Sequence, residues 1–194
     1  MTHAWVHTIN HPDGRPSLDG VTEGYLFDEL GRSRMTVVSF WPTTEAASSA
    51  RAALAPAVGG TIVRDGVYEV LHDVAGGAPA GARPVAAALL DFDGPISPAV
   101  FAAADRGFRD RIHPILTGLT GCIRGVALWQ PDTGAQLVVN VADSLEALGA
   151  AERAINSAPL LPGEDRALLP GPDRVSIQTV VSAVRSASPE GALR

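Results

Sequence analysis

Apolar and polar residues alternate in two stretches of the chain that can be laid over each other without a gap. Residues 24–54 read GYLFDELGRSRMTVVSFWPTTEAASSARAAL and residues 125–155 read GVALWQPDTGAQLVVNVADSLEALGAAERAI. At a constant offset of 101, Val37-Val38 falls on Val138-Val139, Thr43 on Ser144, Glu45-Ala46 on Glu146-Ala147 and Leu54 on Ile155. The two apolar runs of each copy, separated by a polar, glycine-containing segment, predict a strand, a turn and a second strand. A Thr or Ser then stands where a helix N-cap is needed, at the head of an alanine-rich helix.

The flanks extend the match. Upstream, HTINHPDG ending at Gly14 resembles AALLDFDG ending at Gly94, an offset of 80; downstream, DGVYEV from Asp65 resembles DRVSIQ from Asp173, an offset of 108. The second copy is longer before its last strand, in the proline-rich LLPGEDRALLPGP, and longer between its first two strands, where the first copy has only a short loop over residues 15–20. That second insertion reads as a helix. Ser97-Pro98 supplies an N-cap and a proline at the first helical position, and Phe101, Phe108, Ile112 and Ile115 share one face. The second half is therefore predicted as β-α-β-β-α-β, the ferredoxin-like arrangement, and the first as β-β-α-β without its first helix. The expected division is a degenerate half over residues 1–78, a linker over 79–83, a complete half over 84–184 and a tail over 185–194.

Composition narrows the chemistry. With 46% hydrophobic and 19% charged residues over 194 positions, the chain has the balance of a folded domain. No apolar run reaches membrane-spanning length, and the N-terminus lacks a signal-peptide pattern, so a cytoplasmic protein without a membrane partner is expected. A formal charge of −6 argues against nucleic acid as a partner. All 15 basic residues are arginines. A Schiff-base lysine and a phosphate-binding loop with its lysine are thereby excluded. A single Cys122 permits no internal disulfide and reads as a small buried residue. No GxSxG, CxxC, HExxH or GxGxxG motif occurs, so no metal and no cofactor are expected.

Such a tandem pair resembles the dimeric α/β-barrel superfamily, in which two ferredoxin-like sheets form a barrel; here both lie in one chain of α+β class. The resemblance covers nearly all of residues 3–184 and rests on strand order and repetition. It implies a choice among cofactor-independent antibiotic biosynthesis monooxygenases, polyketide cyclases, muconolactone isomerase-like enzymes, heme-binding proteins and stress-response proteins. The arginine- and alanine-rich, lysine-free composition resembles that of a high-GC actinobacterium, where the monooxygenase and cyclase branches serve polyketide pathways. The expectation is a small monooxygenase that uses dioxygen on a hydrophobic aromatic substrate. A cyclase or isomerase, or a ligand- or heme-binding barrel with His72 or His113 as axial ligand, stands as the alternative. Bare sheet edges and the missing helix leave room for a homodimer.

The complete half is where a pocket is expected, between sheet and helices. On its first helix, Asp105 falls among the apolar residues, and Arg109 and His113 continue its i, i+4 ridge. The expected roles are proton acceptor for Asp105 or His113 and anion stabiliser for Arg109; a helix-surface or half-buried Asp105–Arg109 ion pair is the alternative. Phe108 and Ile112 would line the pocket. Trp129 at the end of a strand and Asn140 inside the apolar LVVNVA match residue types by which the monooxygenase branch orients its substrates. Core packing and a local hydrogen bond are the alternative for both. Glu152 is expected at a helix edge, and His72 on the same strand face as Tyr68 and Val70. Finally, His3, His7 and His11 are spaced four apart, but on a strand they stand ~13 Å from one another and cannot together close on one metal.

Overall fold

The computed structural model describes residues 1–55 and 59–185; residues 186–194 of the expected tail lie outside them. The elements follow in the order β1 (His3–Asn10), β2 (Gly24–Glu29), β3 (Arg34–Trp41), α1 (Thr44–Leu54) and β4 (Thr61–Ala75). Then come β5 (Ala86–Phe92), α2 (Pro98–Gly107), a π-helical turn (Phe108–Ile112), α3 (His113–Gly118), β6 (Cys122–Gln130), β7 (Ala135–Ala142), α4 (Leu145–Ser157) and β8 (Arg174–Val184). The strands are hydrogen-bonded in the closed order β1-β3-β2-β8-β5-β7-β6-β4, an eight-stranded antiparallel barrel. The chain forms two compact units, Met1–Val67 together with the chain from Val180, and Tyr68–Thr179. The divisions fall inside β4 and β8, so these two strands belong to both units.

In the first unit, β3 lies between β1 and β2, and α1 packs on β1 and β3. Thr43 caps α1, its Oγ1 accepting from the Ala46 N–H at 3.2 Å, worth about 1 kcal/mol. The segment between β1 and β2 contains no helix. Instead that loop delivers Leu18 and Val21 onto Trp5, Leu26 and Val37. Burying each of the two contributes roughly 1.5–3 kcal/mol. The sheet face left without a helix is thus covered by its own loop.

The pairings correct one register. His7 lies opposite Val37 in β1/β3, and Leu90 lies opposite Val138 in β5/β7. Because Val37 and Val138 are the aligned pair, His7 corresponds to Leu90, an offset of 83 (90 − 7) and not 80. An odd slip exchanges the two faces of a strand. His7 therefore matches a helix-facing position, where the shorter offset had equated it with Ala87. Of the three histidines, His3 binds Thr44 Oγ1 at 2.8 Å, His7 is buried, and His11 lies past the strand with φ 48°.

In the second unit the strands run β8-β5-β7-β6-β4. Ser97 and Ser144 cap α2 and α4 through the N–H groups of Val100 and Ala147. The helices seal one face of the sheet over Val74, Phe108, Leu116, Cys122, Ala127 and Ala151. The helix that begins at Pro98 does not run straight. The His113 N–H reaches back five residues to the Phe108 carbonyl. This wider turn rotates α3 by about one residue, ~100°, relative to an unbroken α-helix. The predicted ridge Asp105–Arg109–His113 consequently ends at Arg109.

Candidate functional site

A cleft of about 630 Å³ opens in the second unit between the helix-facing side of β5 and β7 and the helices above it. Leu90 and Phe92 come from β5, and Gln136, Val138 and Asn140 from β7 by the period-two alternation of strands. Val100, Ala104, Phe108 and Ile112 form the opposing wall, and Ile155 of α4 closes one side. The proline-rich stretch inserted before β8 reaches over the mouth with Leu160, Leu169 and Pro170.

About a third of the lining residues are polar, Ser97, Gln136, Asn140 and Asn156 among them. Asn140 lines the cleft, and its Oδ1 is shielded from solvent with no hydrogen-bond partner among the described residues. A carbonyl oxygen left unpaired in an apolar environment costs free energy, about 1–3 kcal/mol. Arg111 offers its Nε to Glu164 Oε2 at 3.1 Å; Glu164 is 3% exposed and Oε2 also accepts the Leu161 N–H at 2.7 Å. Gly107 leaves room for this pair, since a Cβ there would stand 2.9 Å from Glu164 Oε1. At the rim, Asp93 binds both terminal nitrogens of Arg174 at 2.7 and 2.8 Å, and its N–H donates to Asp173 Oδ2.

Asp105 and Arg109 do pair, at 2.9 Å between Arg109 Nη1 and Asp105 Oδ2. The other carboxylate oxygen of Asp105 is 2.7 Å from His72 Nε2, and the His72 ring stacks on Phe108 with centroids 4.5 Å apart. A bulge brings His72 there. Val70 faces Leu128 and His72 faces Ala127, so Leu71 is an extra residue and His72 leaves the face it would share with Val70. Asp105, Arg109 and His72 do not line the cleft; Phe108, which does, stacks on His72. With Nε2 held by Asp105, His72 is not free to ligate a heme iron through that atom. His113 is exposed past the π-helical turn. Trp129 packs edge-on against Phe101 at 4.8 Å and is absent from the cleft lining, whereas Phe108, Ile112 and Asn140 are present. Glu152 is exposed on α4.

The sequence reading passed over two polar clusters. One is the Arg111–Glu164 pair, whose only signal was a lone glutamate among turn residues. The other lies in the first unit, where Asp65 Oδ1 accepts from Trp5 Nε1 at 2.8 Å and lies 3.3 Å from His7 Nδ1, and Oδ2 accepts from Arg51 at 2.8 Å. Burial pushes the Asp65 carboxyl up. The Trp5 and Arg51 hydrogen bonds, with the Arg51 and His7 charges, outweigh it and hold the group below the usual carboxylate range. Burial alone pushes the Cys122 thiol up. Among the described residues no three His, Cys, Asp or Glu side chains converge to hold a metal ion, and no helix is long and apolar enough to cross a membrane.

No protein-family model and no curated protein matches the chain. Solved structures do, over nearly the whole length. A protein named as a candidate monooxygenase from Fusobacterium nucleatum subsp. nucleatum superposes with a TM-score of 0.65 at 10% identity, covering 96% of this chain and 95% of that one. One of the same description from Lactobacillus acidophilus gives 0.61 at 8% identity, with 96% and 98% covered. An anthrone oxidase-like protein gives 0.57 at 12% identity, with 100% and 97% covered. The chain thus shares its fold with these proteins.

Proposed function

We propose that the protein is a cofactor-independent monooxygenase acting on a hydrophobic aromatic, polyketide-like substrate bound in the cleft of the second unit. The observation that carries this reading is the cleft itself, an apolar slot large enough for fused rings with an amide, Asn140, set into its floor. Phe108 and Ile112 form its wall. Its named structural likenesses to monooxygenases and an anthrone oxidase-like protein support the reaction class.

For an anthrone-type substrate the reaction balances without a further reductant. Loss of a proton to water at the open mouth gives a delocalised carbanion, which passes one electron to dioxygen; recombination forms a carbon–oxygen bond, the peroxide anion takes a proton back from water, and the hydroperoxide loses water to leave a quinone carbonyl. The CH2 group gives up four electrons, one oxygen atom enters the product and the other leaves as water. The chain's contribution is to exclude water from the rings and stabilise the oxyanion. Asn140 and the terminal nitrogens of Arg111 are the donors at hand. Asp105, Arg109 and His72 act through Phe108 by fixing its ring, and His113 takes no part.

Oxygen uptake with an anthrone or hydroquinone tests the proposal. One dioxygen should be consumed per quinone formed from the anthrone, and ¹⁸O₂ should label that product once. Turnover that persists without oxygen would overturn oxygenation in favour of a cyclase or isomerase, and binding without turnover would leave a ligand-binding barrel.

A further inference from the structure

The stretch over the cleft mouth holds one arginine without an ion-pair partner, next to the acidic Asp165. Arg166 lines the cleft from a short 3₁₀ turn, Arg166–Leu168, which Asp165 caps through the Ala167 N–H at 2.9 Å. Two of the other three charged groups in the lining are ion-paired, and the third, Asp173, keeps its negative charge. Arg111 is balanced by Glu164, Asp93 is bound by Arg174, and Asp173 accepts the Asp93 N–H. Arg166 has no ion pair or side-chain hydrogen bond among the described residues. The turn that presents it is not loosely placed. Glu164, two residues before, is buried against Arg111, and the Pro162 carbonyl accepts from Arg106 Nη2 at 2.8 Å. An unpaired guanidinium on an anchored turn at the mouth of this cleft can recognise a carboxylate, which its planar fork can bind with two parallel hydrogen bonds.

We infer that the ligand of this cleft is an aromatic acid, whose rings fill the slot and whose carboxylate is bound by Arg166. This rests on the cleft being the ligand site, and the experiment separates the two. The full chain is titrated with anthraquinone-2-carboxylate, its carboxamide and unsubstituted anthraquinone, following ligand absorbance. The wild type should bind the carboxylate about tenfold more tightly than the carboxamide, in keeping with a charge-assisted hydrogen bond. Arg166→Gln should abolish that preference while leaving the affinity for anthraquinone unchanged, and Arg166→Lys should keep part of it. Added salt should reduce the preference in the wild type and have no effect on it in Arg166→Gln. Arg166 is exposed, so the fold tolerates its replacement. Equal affinity for acid and amide, or a preference that survives Arg166→Gln, would overturn the inference while leaving the cleft reading intact. Failure of all three ligands to bind would overturn both.

Discussion

Asn140 is the position at which stability and function pull apart. Its Oδ1 is occluded and unpaired in the centre of β7, between Val139 and Val141, each fully buried on the other face. Replacing it by valine removes the unpaired acceptor, worth about 1–3 kcal/mol, and adds a side chain that suits a strand. The shorter valine cannot press on Gly125, where an added Cβ would stand 3.3 Å from Asn140 Oδ1. Loss of the ordinary hydration of the cleft-facing amide offsets part of the gain. Asn140→Val should therefore raise the unfolding free energy by about 1 kcal/mol, a midpoint shift of about 2–4 °C for a chain of this size. The same substitution should weaken binding of a hydroxylated aromatic ligand by about tenfold, because a donor in the floor is lost. Urea denaturation of both proteins, compared at equal m-value, gives the first quantity, and ligand titration gives the second. Destabilisation by about 1 kcal/mol or more would refute the reasoning, since it would show that the amide has a partner whose loss matters. A stabilised variant with unchanged ligand affinity would remove Asn140 from the site.

Glu164→Ala leaves Arg111 charged and 13% exposed without its anion; the loss should be on the order of 3–5 kcal/mol, read by thermal unfolding, with faster tryptic cleavage after Arg166. Asp65 gives a pH dependence of definite sign. Its folded pKa is depressed, so its stabilisation is fully present above the unfolded value of ~3.9 and is lost as pH falls through the lower folded value. Asp65→Asn should accordingly be less stable than the wild type at neutral pH, with the difference shrinking in acid denaturation profiles below about pH 4. Cys122 is 2% exposed and its thiol is pushed up by burial. A disulfide reagent should leave it unmodified in the native protein and react fully in denaturant; fast native labelling would contradict its placement.

The elements were legible because they are local. Alternation marked the strands, and Thr43, Ser97 and Ser144 marked three helix starts that the structure caps through those same hydroxyls. The absence of a helix between β1 and β2 was equally plain, since residues 11–23 carry turn chemistry and too few residues for a helix with its connections. Phe108, Ile112 and Asn140, expected in the pocket, line the cleft; Trp129 and Asp105, expected with them, do not.

What failed were inferences that a single added residue can reverse. The π-helical turn at Phe108–Ile112 and the bulge at Leu71 each insert one position. The first turns His113 out to solvent, and the second turns His72 towards Asp105 and Phe108. Nothing in the local pattern announces either, because the cost of an irregular turn is met by tertiary contacts. The same holds for the register of β1, where pairing with β3 decides which face His7 presents. Pairs far apart in sequence, Arg111 with Glu164 and Trp5 with Asp65, were beyond reach for the same reason. Sequence determined which segments pleat or coil and which faces are apolar. Only the folded structure decided which polar groups meet in the spaces those faces leave, because that depends on registers fixed by pairing between distant strands.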